Sequence, residues 1–97
     1  MTPDEAEYLD HLHGERHGYA WVMRHYGGRT PEQAERDALE FYPYEPESEP
    51  YRRLVFHEHP WHWAMQVIHG DRYATDHPEL GDPPPEFPAP ERGDAGA

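Results

Sequence analysis

The sequence predicts an all-α protein: a small bundle of about four helices in residues 1–80, followed by a disordered, acidic, proline-rich tail in residues 81–97. Three observations predict it. Three segments carry apolar residues at helical spacing, and each opens on a proline, placed where a first turn needs no N–H. Only Tyr51-Arg52-Arg53-Leu54-Val55-Phe56 reads equally as strand or helix, and no second strand is evident to pair with it, which favours a short helix. From Gly81 the run GDPPPEFPAPERGDAGA has too little apolar surface to offset the entropy of ordering it, with Phe87 at most a small anchor.

Thr2-Pro3-Asp4-Glu5 opens the first helix with a cap, a first-turn proline and acids at the positive end of the helix dipole. Tyr8, Leu9, Leu12, Tyr19, Val22, Met23 and Tyr26 then keep one face. Gly14 and Gly18 interrupt the run, so one long helix from Pro3 to Tyr26 and two helices broken between the glycines both fit. The preserved phase favours one helix, in which the glycines would admit another backbone closely.

Thr30-Pro31-Glu32-Gln33 is a capping box. Ala34, Ala38, Leu39, Phe41 and Tyr42 form the apolar side of the helix it starts, and Glu32–Arg36 is an i,i+4 pair. Pro43 stops that helix, and YEPESEP follows as an extended acidic connector. Pro60 to His69, closed by Gly70, is the densest apolar run and the expected centre of the fold. Trp61, Trp63, Ala64, Met65, Val67 and Ile68 sweep an arc wide enough to predict neighbours on several sides, while His62, Gln66 and His69 share a polar stripe.

Net charge is −12, and all eight basic residues are arginine. Such a chain is unsuited to direct contact with nucleic-acid phosphates or anionic lipid, and suits a basic protein partner. Cysteine is absent, which removes disulfides and thiolate metal sites. The acidic N-terminus is unlike a signal peptide, and no apolar run approaches membrane length, so the expected setting is cytoplasmic. Protonating all nine histidines would raise the charge to −3.

These features predict a non-enzymatic interaction protein: an accessory subunit, inhibitor or regulator of a larger, basic partner. Trp21, off the apolar face of its helix, and the stripe of His62, Gln66 and His69 are the expected contact residues. The alternative is a histidine and carboxylate site for zinc or another divalent metal; the interaction reading needs no cofactor. Asp10, His13 and His17 fall on one helical azimuth, although their ends span about 10 Å, long for one ion. His57, Glu58, His59 and His62 form a second set, in a loop rather than the H-E-x-x-H helix of zinc proteases. Nucleophilic catalysis lacks a frame: the single serine, Ser48, sits in the acidic connector.

Overall fold

The computed structural model describes residues 1–88, and among these there are helices and turns but no strand. Helix α1 spans Pro3–Tyr26, α2 Pro31–Phe41, α3 Pro60–His69 and the single-turn α4 Tyr73–Asp76. Short 3₁₀ turns occupy Leu54–His57 and Pro78–Leu80. The ambiguous run before α3 thus becomes turns closing into 3₁₀ helix, since nothing offers it a strand partner.

The organising element is α1 rather than α3. It packs against both α2 and α3, burying Tyr8, Leu12, Tyr19, Val22 and Met23 along one side. It runs unbroken through both glycines, and at Gly18 the reason is visible. A Cβ there would stand 3.0 Å from Phe87 Cζ and 3.2 Å from Pro60 Cγ. The helix accepts the roughly 1 kcal/mol propensity cost of glycine so that the start of α3 can press against it. Thr2 caps α1, its Oγ accepting the Glu5 N–H at 3.0 Å. After Tyr26 the chain turns at Gly28, whose φ of +69° lies in the left-handed region that favours glycine.

The capping box of α2 is complete: the Gln33 N–H donates to Thr30 Oγ (3.2 Å) and the Thr30 N–H to Gln33 Oε1 (3.0 Å). Ala34 and Ala38 are fully buried, and these small side chains let α2 lie close on α1. Leu39 departs from expectation and is about half exposed at 48%. The Glu32–Arg36 pair does not form among the described residues. The tie that forms instead is Arg29 to Asp37, two hydrogen bonds of 2.8 and 3.1 Å that bind the α1–α2 turn to α2.

Helix α3 buries Trp61, Ala64 and Met65 but leaves Val67 exposed. Its arc is therefore covered on fewer sides than the sequence predicts, because α1 is its one extensive helical neighbour. Its two indoles clamp the flanking chain. Trp61 Nε1–H donates to the Leu80 carbonyl and Trp63 Nε1–H to the Val55 carbonyl, both at 2.9 Å. The last residues of the helix are followed by Gly70 at φ +96°.

The expected tail divides. Residues 89–97 lie outside the described residues. Residues 81–88 lie along the helices, with the Phe87 ring 5.5 Å from Trp21, 5.9 Å from Trp61 and 5.3 Å from His59. Phe87, beyond residue 80, thus seats its ring over Gly18.

Candidate interaction surface

The connector between α2 and α3 is the least regular part of the body and one of the most tightly held. Its prolines and lack of repeating structure leave backbone groups that side chains must satisfy. Tyr8 of α1 provides the seat. The Arg52 guanidinium lies 3.8 Å above its ring, and the ring centroids of Tyr44 and Phe56 each stand 5.8 Å away. Tyr8 Oη accepts the Glu45 N–H at 3.1 Å.

Arg52 locks this arrangement. It is buried, and donates to Glu5 (2.8 Å), Asp4 (3.1 Å) and the Glu45 carbonyl (3.2 Å). Arg53 donates to Asp4 at 2.6 Å, the Tyr44 hydroxyl to Glu5 at 2.6 Å, and the Thr2 hydroxyl to Glu47 at 2.9 Å. The Tyr44 and Arg52 hydrogen bonds hold the Glu5 carboxyl below the usual carboxylate range. The connector is thereby fastened across the N-terminal part of α1.

What this fastened segment turns outward is apolar. Tyr51 is 72% and Leu54 64% exposed, with Tyr44 half exposed beside them. Glu45 and Glu49 have no ion-pair partner among the described residues, whereas both arginines of the segment are already neutralised. The surface therefore combines exposed aromatic and aliphatic groups with uncompensated negative charge.

The residues expected to bind a partner lie elsewhere. Trp21 is half-buried, stacked on His25 at 4.1 Å and covered edge-on by Phe87. It is off the α1 core face as predicted, yet the segment after Pro78–Leu80 folds over it. His62 turns inward to share a hydrogen bond with the Tyr73 hydroxyl, and His69 faces His77 with ring centroids 4.8 Å apart. Gln66 is half-buried. The polar stripe of α3 thus serves chiefly as a seat for α4 and the turn after it.

The metal candidates are not gathered into a site. Among the described residues no three histidine, aspartate or glutamate side chains converge to hold an ion. His57 Nδ1–H donates to the Leu54 carbonyl while its ring stands edge-on to Trp63. His59 Nδ1 accepts the Trp61 N–H at 3.1 Å, and His62 is committed to Tyr73. Glu58 accepts the His59 N–H at 3.0 Å. Asp10, His13 and His17 do share a face of continuous α1, but all three are exposed, and His13 and His17 line a cleft with two arginines.

Tyr44, Tyr51 and Leu54, which the connector leaves exposed, are not among the residues singled out from the sequence. The available signal was two tyrosines and an Arg-Arg pair within a proline-rich acidic stretch, a composition richer in contact-forming groups than a solvated linker needs. No protein-family model matches the chain, and no curated protein or solved structure does so either.

His59 carries a pH dependence. Burial, and secondarily the nearby His62, lowers its pKa below the ordinary histidine value of 6.5, against a smaller raising influence of Glu58. Its neutral form is also the one that can accept the Trp61 N–H and cap α3. With the folded pKa lowered, the unfolded chain binds more protons as pH falls. The stabilisation is therefore full above about pH 6.5 and is lost as pH drops through the folded value. Urea midpoints at about pH 7.5 and about pH 5.5 should differ less in His59→Asn, which keeps a capping oxygen without a titrating ring, than in the parent. An equal difference in both proteins would remove His59 from the pH response.

Proposed function

We propose that this protein is a non-enzymatic interaction module, an accessory subunit, inhibitor or regulator that docks a basic partner protein through its ordered connector. The observation that carries the reading is the pairing of rigidity with exposure. The buried Arg52 network holds an irregular segment in one shape while leaving Tyr51 and Leu54 in water. Ordering loop residues costs about 1–2 kcal/mol each in backbone entropy, and in an isolated protein nothing repays the exposure of these side chains. A pre-ordered loop that presents aromatic and aliphatic groups lowers the ordering cost of association. Tyrosine is also among the residues enriched where interfaces carry most of their energy. The unpaired carboxylates around it favour a partner whose contacting face is rich in arginine or lysine.

The test is affinity capture from lysate of cells that make the protein, using the parent and the double variant Tyr51→Ala, Leu54→Ala. Circular dichroism should show the same helical signal and unfolding midpoint for both, since both side chains are exposed. A partner with a basic surface should be retained by the parent, weaken as salt is raised, and be lost by about tenfold or more in the double variant. Equal retention by parent and variant would overturn the assignment of this surface.

A further inference from the structure

A second feature lies on α1 beyond the connector, where a recess of about 550 Å³ opens between α1 and α2. Its charge is opposite to that of the molecule. In a chain of net charge −12, this recess is lined by Arg16, Arg24, His13 and His17, with Glu35 as its single acid. The four basic groups fall at helical spacing along one side of α1, spread over about 16 Å from His13 to Arg24.

The described arginines fall into two groups. Arg29, Arg52 and Arg53 are neutralised by carboxylates. Arg16 and Arg24, like Arg36 and Arg72, have no carboxylate partner among the described residues, but only these two line one recess. Arg16 is nonetheless fixed: its Nε–H and an Nη2–H donate to the Tyr42 carbonyl at 2.9 and 2.7 Å. Two of its five N–H donors are used on a neutral acceptor, leaving three donors and the full positive charge on a positioned guanidinium. The α2 wall contributes Ala38 and the partly exposed Leu39, the apolar residue whose exposure the packing of α2 does not explain.

We propose that this recess binds a small organic oxyanion, its phosphate or carboxylate head drawn to the basic side of α1 between Arg16 and Arg24, with a short apolar body against Ala38 and Leu39. The size falls within the range of small-molecule sites, about 300–1,000 Å³. Glu35 at the rim disfavours an extended polyanion and suits a ligand with one compact anionic head. The site is separate from the proposed partner surface and does not depend on it.

The experiment is an amide NMR titration of the full chain with inorganic phosphate, n-butyl phosphate and butyrate, each against sodium chloride at matched ionic strength. Saturable shifts are expected in residues 13–24 and 31–39, with n-butyl phosphate tighter than inorganic phosphate because Leu39 gains contact. Comparing n-butyl phosphate with butyrate assigns the head group as phosphate or carboxylate. Arg24→Gln and the double variant His13→Gln, His17→Gln should each weaken binding by about fivefold or more, a loss equal to one charge-assisted contact. Arg36→Gln, which removes an equal charge from the exposed face of α2, should leave affinity unchanged. Shifts that grow linearly like those with chloride, or equal losses in Arg24→Gln and Arg36→Gln, would overturn the proposal. Zinc titrated alone provides the remaining arm. Saturable zinc shifts centred on His13 and His17, with none from any of the three anions, would reassign the recess to a metal.

Discussion

Replacing Trp61 with alanine should destabilise the fold by about 3–5 kcal/mol, the range for emptying a large aromatic site in a core. Trp61 is fully buried, and its ring meets Tyr26 and Phe87 edge-on at 5.2 and 5.9 Å. Its Nε1–H is also the donor to the Leu80 carbonyl. Truncation therefore leaves a cavity beside α1, an unpaired carbonyl in the turn after α4 and a loosened seat for Phe87. Natural domains hold only about 5–15 kcal/mol in total, so the variant should be close to half-unfolded at modest urea. Equilibrium urea denaturation followed by circular dichroism measures it. Trp61→Phe, which keeps a ring but not the donor, should fall between parent and alanine variant. A loss below about 1 kcal/mol in Trp61→Ala would mean that this side chain does not fill the core as described.

Tyr8→Ala should cost a similar amount, about 3–5 kcal/mol, with an additional local signature. Tyr8 is 1% exposed, and its ring is the surface on which Arg52, Tyr44 and Phe56 rest. Without it the buried guanidinium of Arg52 loses its aromatic face and the Glu45 N–H loses its acceptor. The connector should then release from α1 in advance of global unfolding. Trypsin cleavage after Arg52 or Arg53, slow in the parent, should become fast in Tyr8→Ala under conditions where α1 and α3 remain helical. Tyr8→Phe removes the hydroxyl alone and should cost about 1 kcal/mol. If Tyr8→Ala unfolds as one unit, with no earlier cleavage at the connector, then the segment is held by the rest of the body rather than by the Tyr8 seat. Loss of partner capture in Tyr8→Ala, together with retention in Tyr8→Phe, would link the order of the connector to the proposed docking.

The local signals were strong enough to read directly. The ends of α1, α2 and α3 follow from proline at the first turn, Thr2 and Thr30 as caps, and Gly28 and Gly70 past the C-termini. Each of these is decided by backbone groups within four residues, which a sequence displays completely. For α1 the apolar phase from Tyr8 to Met23, the same before and after the glycines, favoured one helix over two without deciding between them. What Gly18 accommodates was not legible, because Phe87 and Pro60 approach it from distant parts of the chain.

The candidate sites show the same division more sharply. Histidine and tryptophan draw attention in a sequence because their chemistry is versatile. Yet His59 is spent on a helix cap, His62 on Tyr73, and Trp21 under Phe87. Arg52 drew none, and it secures the most unusual feature of the fold through contacts to residues 47 and 48 positions away in sequence.

By itself, then, the sequence determined the helical class, where the three main helices begin, the strongly negative charge and the absence of thiol chemistry. Short-range hydrogen bonding, side-chain period and composition suffice for these. Tertiary structure decided which helix is central, which apolar residues stay in water, and where charge of each sign collects. It left Tyr51 and Leu54 exposed on the connector fastened across one part of α1, and opened a basic recess along another. Both depend on which distant groups neutralise one another, and ion pairing across a fold is set by packing of the helices rather than by spacing along the chain.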